Sequence, residues 1–321
     1  MSIATGIGSM PGTDFAESLR VVMGEVGDFV HVPELPARGV HAGMIGRTLA
    51  VLEGLDADLQ PDGWRVGVGE GADQRRARSL VAQDVDVAEE LAGTHEGLLK
   101  LQVTGPLTLA ASVERPRGDK MLADHGARRE IAESLAEGLR THVADARRRF
   151  PRAELVVQVD EPSIVAVLTG GVPTASGFSR HRSVHPPEAD ALLRLVTDAI
   201  IGAGARPAVH SCAPDVPVEL FVGAGFAAIS FDVSLARPDD VWAESFEQGV
   251  DLWLGVVPST DTTGVTDKAL AGRVAAFFGR FGFDEEAYAE RLVVTPTCGL
   301  AGASPSWARE ALSLARRVAT S

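Results

Sequence analysis

His210 and Cys212 stand two residues apart, and the one other cysteine, Cys298, lies far downstream. Along a strand, side chains i and i+2 share a face, so His210 and Cys212 can aim at one point. Asp232 ends the next apolar run. Imidazole, thiolate and carboxylate are zinc donors, at about 2.0–2.1 Å for nitrogen and about 2.3 Å for sulfur. His210, Cys212, Asp232 and Cys298 are therefore a candidate zinc site. The plainer alternative is a half-buried histidine with two inert thiols.

A second cluster is Asp160-Glu161-Pro162. Adjacent carboxylates at a strand end can bind an ammonium group or do acid–base work, and the proline stops the strand. A solvated acidic turn is the alternative. Ile7-Gly8-Ser9 ends the first apolar run. His31 and Glu34 follow in the second run, as site residues or as a structural pair. Gly105-Pro106-Leu107-Thr108 closes the third. His181 and His185 fall in a polar stretch and are expected to be solvated.

These residues need elements to hold them. Eight β-type runs are expected near 3–9, 29–34, 98–104, 154–160, 207–211, 227–232, 251–257 and 291–296. Several, such as 155–157 and 227–229, are apolar enough for strands buried on both faces of a parallel sheet. Helical patterns lie between them, at 14–24, 76–91, 127–149, 188–201, 238–248, 267–278 and 306–318. Thr13, Asp215 and Ser306 are the expected capping residues. Eightfold strand–helix alternation predicts a (β/α)₈ TIM barrel with insertions, one catalytic domain over residues 1–321. The insertions are expected at 56–74, with a short strand at 64–68, and at 170–187. A doubly wound sheet is disfavoured, because Pro11 and Gly12 break the Gly motif that Gly6-Ile7-Gly8 begins. A barrel carries its chemistry at the C-terminal ends of its strands, and the clusters above fall there.

Composition narrows the classes. Of 321 residues, 45% are hydrophobic and 23% charged, which suits a globular chain. The formal net charge of −14 argues against nucleic acid and anionic membrane as partners. No apolar run reaches the roughly 18 residues of a membrane span, and the first residues lack a signal-peptide pattern. Cytoplasm is the expected compartment. Two cysteines cannot form a disulfide framework.

In order and in type, Ile7-Gly8-Ser9, Gly105-Pro106-Leu107-Thr108, Gln158-Val159-Asp160-Glu161-Pro162, His210-Ser211-Cys212, Ile229-Ser230-Phe231-Asp232 and Pro296-Thr297-Cys298-Gly299-Leu300 resemble the cobalamin-independent methionine synthase family, in its C-terminal catalytic barrel. The resemblance spans nearly the whole chain and fits a short, single-barrel form. It implies a zinc ion (Zn2+) that binds the thiol of homocysteine, and methyl transfer to that thiol to give methionine. It implies His210, Cys212 and Cys298 as zinc ligands, with Asp232 where the family usually has glutamate. It implies Asp160 for the homocysteine amino group, Ile7, Gly8 and Ser9 for its carboxylate, and Glu34 as a further amino-acid-binding residue. The family's proton-donating histidine after the seventh strand has no counterpart between Gly255 and Asp261; Asp261 is the substitute expected there. Ser112 and Ala166 stand where the family has folate-contacting side chains. The methyl donor is thus a methylfolate or a corrinoid methyl-carrier protein. Two rivals remain: a metal-free barrel enzyme like uroporphyrinogen decarboxylase, disfavoured by the acidic mouth, and a non-catalytic homologue that binds zinc or a thiol.

Overall fold

The protein is described by a computed structural model over residues 3–67, 69, 71–237 and 239–321. Its strands are β1 (Ile3–Ala4), β2 (Phe29–His31), β3 (Ala57–Gln60), β4 (Gly63–Val66), β5 (Leu98–Thr104), β6 (Glu154–Asp160), β7 (Arg206–Ser211), β8 (Ala228–Asp232), β9 (Asp251–Val257) and β10 (Val293–Pro296). Its helices are α1 (Phe15–Val26), α2 (Met44–Val51), α3 (Ala72–Ala92), α4 (Pro106–Ser112), α5 (His125–Arg149), α6 (Ile164–Thr169), α7 (Pro186–Gly202), α8 (Val218–Gly223), α9 (Asp240–Glu247), α10 (Asp267–Gly279), α11 (Glu285–Tyr288) and α12 (Pro305–Ala319). Eight parallel strands run in the order β1-β10-β9-β8-β7-β6-β5-β2. This is a nearly closed TIM barrel ringed by helices. β3 and β4 form a separate antiparallel hairpin in the insertion after β2. Among the described residues no helix is long and apolar enough to cross a membrane.

Alternation along the strands sorts the residues into layers. Outward-facing Leu99, Leu101, Val157, Val209, Ile229 and Leu254 join the main core under the helices. Inward-facing Phe29, Val156, Ala208, Ala228, Trp253 and Val293 form a second, separate cluster, the barrel floor, with Ile3 and Leu98 against it. Two residues further along each strand the interior changes character. Thr5, His31, Lys100, Gln158, His210, Ser230 and Thr295 are all buried there. One more step brings Gln102, Asp160, Cys212, Asp232 and Thr297 to the mouth. The strands are thus not apolar on both faces, as the runs at 155–157 and 227–229 suggest. Their outer face is apolar and their inner face turns polar halfway up.

The sheet closes unevenly. β1 and β2 are shorter than the expected 3–9 and 29–34, because the chain there leaves the ladder. Among the described residues, the two runs pair through the bridge Ser9↔Glu34 alone, with Glu34 N–H donating to the Gly8 carbonyl and Met10 N–H to the Glu34 carbonyl. Below it a side chain seals the seam: Gly6 N–H donates to His31 Nδ1 at 3.2 Å.

The helix starts differ from the sequence expectations in one instructive way. Asp14, not Thr13, caps α1, accepting from Glu17 N–H, and Ser304, not Ser306, caps α12, accepting from Trp307 N–H. In each case the capping residue is the one with extended backbone just before the first helical turn. Asp215 has a positive φ of 59° and caps nothing; α8 begins after Pro217 without a side-chain cap. Of the expected strand at 64–68, Val68 lies outside the described residues, as does Pro238 of the expected helix at 238–248. α4 was not expected from the sequence, although Pro106 at its first turn is a favourable start.

A Cβ on Gly6 would lie 2.3 Å from the His31 ring. Gly6→Ala is expected to cost about 1–3 kcal/mol by overpacking this seam, read as a lower denaturant midpoint. An unchanged midpoint would mean that the seam tolerates a methyl group.

Candidate metal centre and amino-acid pocket

β7 delivers His210 and Cys212 to the mouth, and the turn after β10 brings Cys298 beside them. One ligand atom from each of the three lies within 4.8 Å of the others. The sulfurs of Cys212 and Cys298 are 3.0 Å apart, and both cysteines are free thiols. The ring of His210 is oriented by Ser230, whose Oγ lies 3.0 Å from Nδ1. Its other nitrogen, Nε2, is buried and has no partner. A buried ring nitrogen without a hydrogen-bond partner, next to two thiols, suits a metal cation. Contact with the Cys212 sulfur, and then the nearby His210 ring, hold the Cys298 thiol below its ordinary range, and the same sulfur contact pushes Cys212 up.

Asp232 stands at the end of the neighbouring β8 but outside this group of three. Its Oδ1 accepts from Ser234 N–H at 2.8 Å and Ser234 Oγ at 2.6 Å. The short aspartate stem favours this turn over reach across the mouth.

Ser9 links the cysteines to the next part of the site. Its carbonyl accepts from Leu300 N–H at 2.8 Å. Its Oγ occupies the space beside Gly299, where a Cβ would come within 2.1 Å of it. Ile7 and Gly8 precede it, and the Gly8 backbone lies against Gln102, whose Nε2 is buried without a partner.

Two carboxylates complete the pocket. Glu34 is buried, with its Oε1 3.5 Å from Arg47 Nε. Asp84 on α3 anchors that guanidinium at 2.6 Å and takes a bidentate pair of bonds from Arg38. Asp160 is buried, with Oδ1 accepting from Gln158 Nε2 at 2.7 Å. Burial raises the pKa of both carboxylates, and their mutual repulsion adds to the rise at Asp160; Arg47 and Lys100 oppose the rise at Glu34. Lys100 is itself fully buried on β5, and desolvation lowers its pKa to about 7. His31 beside it is held well below its ordinary value, first by burial and then by the Lys100 charge.

Other sequence candidates have their lone pairs in use. Glu161 accepts from Leu107 N–H at 2.9 Å, Thr108 N–H at 2.8 Å and Thr108 Oγ1 at 2.6 Å. It caps α4 from the next strand. A Cβ on Gly105 would lie 2.2 Å from its carboxylate, which explains the glycine there. Burial pushes Glu161 up to about 7, with the three donors acting the other way. Asp261 is exposed and accepts from Ser304 N–H and Oγ at 2.8 and 2.5 Å, which hold it below the usual carboxylate range. His185 is exposed as expected. His181 is buried, 3.1 Å from Asp119, because the insertion folds back over it.

Sequence reasoning missed Lys100 and gave Gln158 no role. The signal was present: a lysine inside an apolar strand must be paired or bound, because an isolated buried charge is too costly.

The His/Cys/Cys group and the buried carboxylates lie at the C-terminal rim of a TIM barrel, the end at which enzymes of this fold carry their chemistry. The sequence family described as "Cobalamin-independent synthase, Catalytic domain" matches residues 70–321. The chain belongs to this family and is a methyltransferase of the methionine-synthase type. Two solved structures share its fold. A B12-independent methionine synthase from Shewanella sp. W3-18-1, in complex with selenomethionine, has 13% identity and a TM-score of 0.60, over 99% of this chain and 96% of that one. A methyltransferase from Methanosarcina mazei has 11% identity and a TM-score of 0.59, over 99% and 92%. No curated protein sequence matches the chain.

Glu161→Gln would set an amide N–H against the donors of α4. It is expected to cost about 1–3 kcal/mol in a denaturant melt while leaving metal content unchanged. Intact stability would show that the cap is dispensable.

Proposed function

We propose that the whole chain, 1–321, is one zinc-dependent catalytic barrel that transfers a methyl group to the thiol of homocysteine, giving methionine. One observation carries this reading: three zinc-type donors converge at the mouth next to two buried carboxylates and the Ile7–Ser9 backbone. The donor chemistry suits zinc. His210 Nε2 is free for it, and two thiols at a single point suit a soft, borderline cation. When bound there, zinc supplies the charge that keeps a substrate thiol ionised at neutral pH.

The chain's own groups do the rest. Asp160 and Glu34 receive the substrate ammonium, whose charge favours their ionised forms and offsets the effect of burial. Ser9 and the backbone of Ile7 and Gly8 receive the carboxylate. Both ends of the amino acid are then fixed, and its thiol lies toward His210, Cys212 and Cys298. Fixing the reactants in this way supplies most of what a direct displacement needs. Three protein ligands with a fourth position open is the pattern of catalytic zinc. Asp232 is the remaining rim carboxylate and the candidate for an additional ligand. Free thiols favour a reducing compartment, so we assign the protein to the cytoplasm.

The donor is a methylfolate or a protein-borne methyl corrinoid. The two donors differ in their need for a proton. A folate amine needs a proton as it leaves, and Asp261 is held in its charged form by Ser304. Cobalt leaves with the bonding electron pair and needs no proton.

Protein purified without added metal is expected to carry about one zinc per chain by elemental mass spectrometry, and Cys298→Ser to lose it. Native protein that stays metal-free after reduction and reloading would sink the zinc reading. Asp232→Ala is expected to keep zinc, since Asp232 serves the Ser234 turn; loss of zinc in this variant would make Asp232 a ligand. Asp160→Asn is expected to raise the homocysteine KM roughly 10- to 100-fold, the worth of a charge-assisted hydrogen bond. An unchanged KM would remove Asp160 from the pocket.

A further inference from the structure

We propose that Lys100 is a positioning residue for the amino-acid pocket: it fixes the Ile7–Ser9 segment directly and Asp160 through Gln158. This rests on the amino-acid-binding reading of that pocket. The geometry is specific. Lys100 Nζ donates to the carbonyl of Gly6 at 2.6 Å, to the carbonyl of Ile7 at 2.9 Å, and to Gln158 Oε1. An ammonium has three donors and no acceptor, so all its bonds are spent inside the protein. The amide of Gln158 is oriented by the same logic. Its oxygen must face the lysine, which leaves Nε2 to donate to the Ile7 carbonyl at 2.8 Å and to Asp160 Oδ1 at 2.7 Å.

The result is a closed triangle of Lys100, Gln158 and the Ile7 carbonyl, with Asp160 on one corner. It sits where the sheet has lost its ladder. Below the Ser9↔Glu34 bridge, Lys100 from β5 bonds the carbonyls of Gly6 and Ile7, in the segment that follows β1. With its donors committed, Lys100 has no proton bond to offer a substrate. Its part is therefore to place the groups that do touch substrate. Both ends of the amino acid would be held by elements that hang on one ammonium.

The test compares wild type with Lys100→Met and Gln158→Glu. Gln158→Glu keeps the acceptor for Lys100 and deletes the donors to Ile7 and Asp160, so it carries the test if Lys100→Met does not fold. Gly138→Ala serves as the control. Its Cβ would meet the Val51 carbonyl at 1.8 Å, against the end of α2 and not against Lys100, Gln158 or Asp160, so it destabilises the helix layer. The readouts are L-methionine and L-homocysteine affinity by titration calorimetry, zinc per chain, and KM against kcat. Both pocket variants are expected to keep wild-type zinc, to weaken L-methionine binding at least about 10-fold, and to raise KM more than they lower kcat. Gly138→Ala is expected to leave affinity unchanged. Wild-type affinity in the pocket variants, or an equal loss in Gly138→Ala, would overturn the role of Lys100 alone. Failure of the wild type to bind either amino acid would overturn the pocket reading, and the Lys100 role with it.

Discussion

A barrel of parallel strands encloses a column of side chains, and here the column changes from apolar to polar one step above its floor. Phe29, Val156, Trp253 and Val293 close the bottom. Directly above them sits a lysine with no exposed surface. Burying an ammonium is tolerable only if every N–H finds an acceptor. Lys100 meets that condition with two backbone carbonyls and one amide oxygen. The acceptors are not incidental. They belong to the segment that runs into Ser9 and to the strand that ends in Asp160. The requirement to satisfy one buried charge therefore fixes the relative placement of two walls of the site.

The same principle recurs further out. Asp84 on α3 holds Arg38 and Arg47, and Arg47 faces Glu34. Glu161 spends its oxygens on the start of α4 and so locks the Gly105-Pro106 turn next to Asp160. Asp261 ties the loop after β9 to the cap of α12. At the rim, then, carboxylates divide into two kinds. Glu161 and Asp261 are saturated by backbone and hydroxyl donors. Glu34 and Asp160 make fewer such bonds, and burial makes the ionised form of each costly.

Much of this was legible in the sequence. Alternation of strand and helix fixed the barrel, and the rule that barrel chemistry sits at strand ends located His210, Cys212, Cys298, Asp160 and Ser9 at one mouth. Two classes of feature were not legible. Lone-pair ownership was one. Asp160 and Glu161 are adjacent and identical in chemical type, and only the fold shows that one faces the pocket and the other a helix start. Closure was the other. The pattern at 3–9 and 29–34 reads as two ordinary strands, whereas the sheet there depends on His31 and Lys100, residues whose role comes from the far side of the barrel. The inner polar layer was hidden for a related reason. Runs such as 155–157 are dominated by their outward residues, and the single inward polar residue looks like an interruption.

The contact between Ser9 and Gly299 has an evolutionary corollary. Position 299 follows Cys298 of the His/Cys/Cys group, and position 9 ends the Ile7–Ser9 segment. The serine hydroxyl fills the space that any larger residue at 299 would need. Position 299 cannot enlarge alone. Among divergent relatives the two positions should covary, a larger residue at 299 being admitted only where position 9 has become smaller, so that the ancestry of the turn after β10 and that of the Ile7–Ser9 segment are written in the same pair of residues.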